Sequence, residues 1–245
     1  MPPDTSAPVG ITMMWPLADR PRLAAGVPGS ATEPVRLVDD DLATSLADGG
    51  RLDGLLDAAE RAATAEDRRV ADALCLAVDP DLLVTVANMT RGYLVVEDPA
   101  EPMGDARDGE GTAAAAAWLE RLRAVAGSMC TVAVPFAQVD TAALAELDDA
   151  SLAGPALAAP TGIVNTILGI TTTRDDVVWP DAGVLTEKAG GVARRRQSGD
   201  GSARRHRGRR RGRGRGHGSR ARAGRGRPVH GPVRQRRRDR ARGAR

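Results

Sequence analysis

Four aspartates, Asp19, Asp79, Asp140 and Asp181, each stand just past a short apolar run. If those runs are strands, the carboxylates gather at one sheet edge. Burial and neighbouring charge can push grouped carboxyl pKa values apart, which suits general acid–base work or the nucleophile and acid of glycoside cleavage. The same residue type also caps helices and opens turns. Asp140 precedes an apolar-periodic segment, and Asp79 and Asp81 flank Pro80, so capping is the commoner account of such positions.

A second acidic group, Asp39-Asp40-Asp41, has the oxygen ligands that hard cations need. Three consecutive side chains do not converge on one ion, and no calcium-loop spacing follows, so this group reads as a solvated helix start. Before Arg194 the chain contains no histidine, so neither a His-ligated metal nor a Ser-His-Asp relay can be assembled there. No P-loop and no G-x-G-x-x-G follows an apolar run. No metal and no cofactor is expected.

Cys75 and Cys130 begin two of the apolar runs. If these runs are neighbouring strands, the sulfurs meet at the amino edge of the sheet. A disulfide, which needs an oxidising compartment, and a pair of buried thiols both satisfy that placement.

The elements that would position these residues follow from periodicity. Ile11 to Trp15, Leu74 to Val78, Thr131 to Phe136 and Val177 to Trp179 are apolar throughout and read as buried strands, the first closed by Pro16. Arg22 to Pro34 reads as a loop. A short helix carries Leu42 and Leu46 and ends at Gly49-Gly50. Leu52, Leu55, Leu56, Ala59 and Ala63 form one face of the next helix. Leu82 to Met89 fits helix or strand. Glu97 to Gly111 is acidic and rich in Gly and Pro, the composition of a mobile surface loop. Thr112 caps a helix whose face is Ala115, Trp118, Leu119, Leu122 and Val125, stopped by Gly127. Further helices carry Leu144 with Leu147, and Ile163 with Ile167 and Leu168. Apolar strands alternating with amphipathic helices indicate an α/β domain with parallel strands, either half a β/α barrel or a small open sheet.

The net charge of +3 hides two opposite pieces. Residues 1 to 193 hold 12 Arg and 1 Lys against 30 acids, a net of −17, while 194 to 245 hold 22 Arg against Asp200 and Asp239, a net of +20. All aromatic residues lie in the first piece and all three histidines in the second. The division reads as a disordered start at 1–10, a folded body at 11–189 and a disordered Arg/Gly-rich tail at 190–245. Such a tail binds phosphate backbones, but it lacks both the aromatics that stack on bases and any lysine.

Codon arithmetic supplies another origin for the tail. In a GC-rich gene, a one-base shift converts runs of CGN into codons for Ala, Val, Gly, Asp or Glu, the residues that dominate the body. Gly231 to Arg238 can be back-translated so that the shifted frame reads Gly-Arg-Phe-Asp-Ser-Ala-Val-Gly. A frameshift near Ala189 to Arg194 is therefore expected, and resequencing from codon 180 onward tests it. No run of about 18 apolar residues is present, so no transmembrane helix is expected. The start has no basic or apolar leader pattern, so the chain taken literally is cytoplasmic.

The runs Met14-Trp15-Pro16-Leu17-Ala18-Asp19-Arg20-Pro21, Asp48-Gly49-Gly50-Arg51-Leu52, Ala77-Val78-Asp79-Pro80-Asp81-Leu82-Leu83 and Pro135-Phe136-Ala137-Gln138-Val139-Asp140 together carry a resemblance. They resemble an uncharacterised family of actinobacterial cell-envelope proteins, often encoded beside the lipid II flippase. Members look like large secreted precursors with a signal peptide, β-rich flanking domains and a transmembrane segment. They also distantly resemble β/α barrels such as polysaccharide deacetylases, whose metal site needs two His that this body lacks. The resemblance implies an internal fragment, a truncated β/α-barrel-like domain in an extracytoplasmic setting. That setting favours the Cys75–Cys130 disulfide. It also implies cell-wall glycan or an envelope protein as partner, met at the Asp-bearing strand ends. Carboxylate-dependent glycan hydrolysis and nucleic-acid binding through the tail are the rival readings.

Overall fold

The computed structural model describes residues 10–25, 33–180 and 183–192. The expected start, Arg-rich tail and frameshift, together with Asp181, lie outside these residues apart from the few at their borders. In chain order the described elements begin with β1 (Met13–Leu17), β2 (Val35–Leu37), α1 (Asp41–Leu46), α2 (Arg51–Thr64), α3 (Arg69–Ala73), β3 (Leu74–Val78), α4 (Pro80–Met89) and β4 (Tyr93–Val96). They continue with β5 (Ala106–Asp108), α5 (Thr112–Ala126), β6 (Cys130–Ala133), a 3-10 turn at Phe136–Gln138, α6 (Thr141–Leu147), α7 (Ala150–Ala153), a π turn at Gly154–Ala158 and α8 (Pro160–Leu168). The architecture is mixed α/β. The described strands form two separate three-stranded sheets, and neither closes into a barrel.

The first sheet is parallel throughout, in the order β1-β3-β6. Its central strand β3 is the most apolar, and all five of its residues are buried, as a strand covered on both faces requires. β1 begins at Met13, and Ile11 stays 74% exposed. Pro16 does not close this strand: it pairs with Ala77 inside it. Proline has no N–H to donate, and only an edge strand with its free side outward tolerates that loss.

Three further expectations need correction. No strand forms at Val177–Trp179, which is irregular and half-buried. The chain touches β6 once, where the Arg174 N–H donates to the Thr131 carbonyl at 2.8 Å. The run then stops at Pro180, and Asp175 and Asp176 precede it, so three apolar residues are too few to extend the pairing. The acidic segment 97–111 is not only loop, because β5 lies within it and pairs antiparallel with β4. Thr112 is the first helical residue of α5, with Gly111 as its cap.

The second sheet, ordered β2-β4-β5, has one apolar strand, Tyr93–Val96, between two strands of three residues each that are too short to read as strands on their own. Tertiary contacts hold it instead. The Arg36 guanidinium donates to the carbonyls of Pro102 and Gly104 at 3.3 and 2.7 Å. Gly109 passes under the Tyr93 ring so closely that a Cβ would lie 2.1 Å from it, so only glycine fits there.

α2 and α5 bury their expected faces, whereas in α6 Leu144 is buried and Leu147 is exposed. Leu52, Leu56 and Ala59 of α2 are fully buried, as are Ala115 and Leu122 of α5. Leu82 to Met89 is helix, because Pro80 is pre-set for a first helical turn and Asp79 caps it. Trp118 sits between α2 and α5, 1% exposed, and its indole N–H donates to the Leu52 carbonyl at 3.1 Å. Trp15 does the same from β1 to Leu55 at 3.0 Å. On the outer side of the same helix pair, Arg121 of α5 bridges Asp53, Asp57 and Glu60 of α2. These acids recur at three- and four-residue spacing, so one guanidinium reaches all three. Arg121 lowers the Asp53 pKa, chiefly by its hydrogen bond and then with help from the Gly49 N–H.

From Ser151 to Leu168, α7, the π turn and α8 make one uncharged helical run of 18 residues, long and apolar enough to cross a membrane by length and composition. Sequence inspection missed it because Gly154, Pro155, Pro160 and Gly162 interrupt its apolar pattern. Leu157, Val164 and Leu168 of this run are buried in the body.

Candidate site at the carboxyl edge of the parallel sheet

β1 and β3 deliver Asp19 and Asp79 to the same edge. The Asp79 N–H donates to the Leu17 carbonyl at 3.0 Å, which continues the β1–β3 pairing past both strand ends. Asp79 is fully buried, and its Oδ1 accepts from the Asp81 N–H at 2.9 Å, the bond that caps α4. A second donor comes from after β6. The side-chain amide of Gln138 donates to Asp79 Oδ2 at 3.1 Å and to the Asp19 carbonyl at 2.8 Å, so one residue joins the ends of all three strands.

Gln138 reaches that position through an unusual backbone. Ala137 and Gln138 both have φ of 51°, the left-handed region that non-glycine residues seldom enter. Two such residues in succession mark stored strain, which is found where a structure aims a side chain or a backbone donor. Here the Ala137 N–H also reaches the Asp79 carboxylate.

Asp19 is held differently. Arg22 forms a forked pair with it at 2.9 and 3.3 Å, Arg51 approaches to 3.5 Å, and the Arg20 N–H donates to it at 2.9 Å. Arg22 is 6% exposed and also reaches Asp39 at 2.5 Å and Asp41 at 3.2 Å. Burial opposes its charge, yet its pKa is raised because Asp19 and Asp39 surround it. Asp39 and Asp41 of the acidic triplet thus serve as the counter-charge of Arg20 and Arg22. Asp40 turns away to accept from the Tyr93 hydroxyl and from the Glu110 N–H at 3.2 Å. Burial and this neighbouring carboxylate raise the Tyr93 pKa.

Asp140 is not brought into the Asp19–Asp79 constellation. It caps α6, accepting from the N–H groups of Ala142 and Ala143, both at 2.9 Å. Asp181 lies outside the described residues. Among those residues no group of His, Cys, Asp and Glu is arranged to hold a metal ion. At the opposite edge, Cys75 and Cys130 face each other in register on β3 and β6 and are joined as a disulfide.

Sequence reading missed Gln138 and Arg22 as members of this edge, and treated Asp81 only as a turn residue. The one signal was the Arg20-Pro21-Arg22 pair upstream of the acidic triplet, cations at a spacing that invites pairing. Asp81 is 6% exposed, with its carboxyl pushed up to about 6, first by burial and second by the charge of Asp79. Burial also raises Asp79, against its three donors.

A pH-dependent prediction follows from Asp81. The folded chain holds a proton that the unfolded chain, with an ordinary carboxyl pKa of about 3.9, releases. Between about pH 4 and 6, stability therefore falls as pH rises, and the full penalty acts above 6. Asp81→Asn removes this penalty of about 1–3 kcal/mol and forfeits about 0.3–1 kcal/mol of helix-dipole attraction. The variant should gain about 1–2 kcal/mol over wild type in urea unfolding at pH 7.5 and nothing at pH 4. Equal differences at both pH values would contradict the assignment.

Chemically the edge is a polar platform. It offers an exposed amide, two exposed guanidiniums and a half-buried carboxylate over a fully buried one. No protein-family model, curated protein or solved structure matches this chain.

Proposed function

We propose that this chain is a domain of an extracytoplasmic cell-envelope protein that binds cell-wall glycan at the carboxyl edge of its parallel sheet. The observation that carries this reading is the Asp19–Gln138–Asp79 constellation, with Arg20 and Arg51 exposed beside it. Amides, guanidiniums and carboxylates in fixed positions are the groups that hydrogen-bond sugar hydroxyls and acetamido groups. Binding is favoured over hydrolysis because each of the described strand-end candidates Asp19, Asp79 and Asp140 is already engaged. Asp19 is paired with arginine, Asp79 is buried under three donors, and Asp140 caps a helix.

The Cys75–Cys130 bond supports an oxidising compartment, as does the resemblance to secreted envelope proteins. The parallel sheet reads as a segment of a β/α-barrel-like assembly. Support for that comes from Arg174, which meets β6 where a next parallel strand would begin.

Co-sedimentation of the full chain, purified from an oxidising compartment, with insoluble peptidoglycan tests the proposal. Wild type is expected in the pellet, and Gln138→Ala should weaken binding about tenfold, the value of one well-placed hydrogen bond to a charged or strongly polar group. Equal sedimentation of both proteins would reject this site. Release of new reducing ends would replace the binding reading with hydrolysis.

A further inference from the structure

We infer that the cleft between α6 and the α7–α8 run is a docking groove for an amphipathic helix of a partner protein whose apolar stripe is flanked by Lys or Arg. The cleft has a volume of about 590 Å³ and is walled by Phe136, Val139, Leu144, Leu147, Leu152 and Ile163. Leu147 and Leu152 are 66% and 50% exposed on its rim, while Leu144, Leu157, Val164 and Leu168 nearby in the chain are buried. The opposite wall belongs to the uncharged run Ser151–Leu168, of which only 22% is buried. From α6 and its cap, residues 140, 143, 144 and 147 face the cleft, a helical stripe of the kind that receives another helix.

Charge selects the occupant. Between Arg123 and Arg174 the chain carries no Lys or Arg and four acids, Asp140, Glu146, Asp148 and Asp149. All four sit on α6 or at its two ends. Lys188 meets Glu146 at 2.9 Å. Asp140 and Asp149 accept from N–H groups at helix starts, and the Asp149 pKa is lowered chiefly by the Ser151 hydroxyl. An apolar groove lined by Asp140, with Asp148 and Asp149 in the short connection between its lining residues Leu147 and Ser151, repels an anionic lipid surface and attracts a helix with cationic flanks.

The probe is a fluorescein-labelled two-heptad peptide of Leu and Lys with one apolar face, measured by anisotropy against the full chain. Its control has Ser in place of every Leu. Micromolar binding of the first and at least tenfold weaker binding of the second are expected. Leu147→Ser with Leu152→Ser should weaken binding about tenfold, and because both side chains are at least half exposed the fold is retained. Glu146→Gln with Asp148→Asn should weaken it several-fold and flatten its salt dependence. Equal binding of the two peptides overturns the proposal, as does either double variant behaving like wild type. Binding to phosphatidylcholine vesicles without binding to the Leu/Lys peptide overturns it in favour of a lipid surface.

Discussion

Replacing Cys75 and Cys130 together by alanine is expected to lower the stability of the oxidised protein by about 4 kcal/mol. The bond closes a loop with a sequence separation of 55 residues, spanning α4, β4, β5 and α5. Cross-linking two points that far apart removes much of the freedom of the unfolded chain, and the cost of opening the loop grows only slowly with length. The native side changes little, because the strands stay paired by Leu76, Ala77 and Val78 against Thr131, Val132 and Ala133 whether or not the sulfurs are joined. Urea unfolding of wild type with and without reductant, and of the double variant, measures the effect. Reduced wild type and the variant should unfold at the same, lower midpoint. A wild-type midpoint unmoved by reductant would remove the disulfide from the native state, and with it the main support for an oxidising compartment.

The second large effect concerns Trp118. Trp118→Ala is expected to destabilise the chain by about 3–5 kcal/mol, from lost burial and the cavity left behind. Trp118 is the largest fully buried side chain and fills the space between α2 and α5. Trp118→Phe keeps much of the volume and loses the bond to the Leu52 carbonyl at 3.1 Å, so about 1–2 kcal/mol is expected. Denaturant titration followed by far-ultraviolet circular dichroism should rank the proteins in that order. Equal losses in the two variants would mean that the hydrogen bond, and not the packing, carries the contribution. Since domains of this size are stable by only about 5–15 kcal/mol, either change removes a large part of the margin.

Trp118 also shows what periodicity can reveal. Its place on the buried face of α5 follows from the spacing of Ala115, Trp118, Leu119 and Leu122, since side chains three and four apart share one side of a helix. The Leu52 carbonyl that receives its N–H was not legible, because that partner is 66 residues away. Gln138 is a sharper case. Nothing about a glutamine in Phe-Ala-Gln-Val announces a residue that ties three strand ends together. Its role depends on two consecutive left-handed residues, a conformation that alanine and glutamine do not prefer and that only the surrounding packing imposes. The same reason hid the second sheet. β2 and β5, three residues each and stabilised by Arg36 and by the fit of Gly109 under Tyr93, leave no apolar run to read, and the apolar Tyr93–Val96 becomes a sheet strand only by pairing with them.

Local spacing was sufficient for the two edge-to-centre strands β1 and β3, the beginning of β6, the amphipathic faces of α2 and α5, and the capping role of Asp140. These features are repeated within a few residues of one another, and burial of one face enforces the repeat. Tertiary structure decided the rest. It placed Asp19 beside Arg22, drew Asp79 and Asp81 into a buried pair, kept Val177–Trp179 out of the sheet and left Leu147 and Leu152 exposed over a cleft. Those outcomes are set by partners distant in the chain, whose contacts no local pattern encodes.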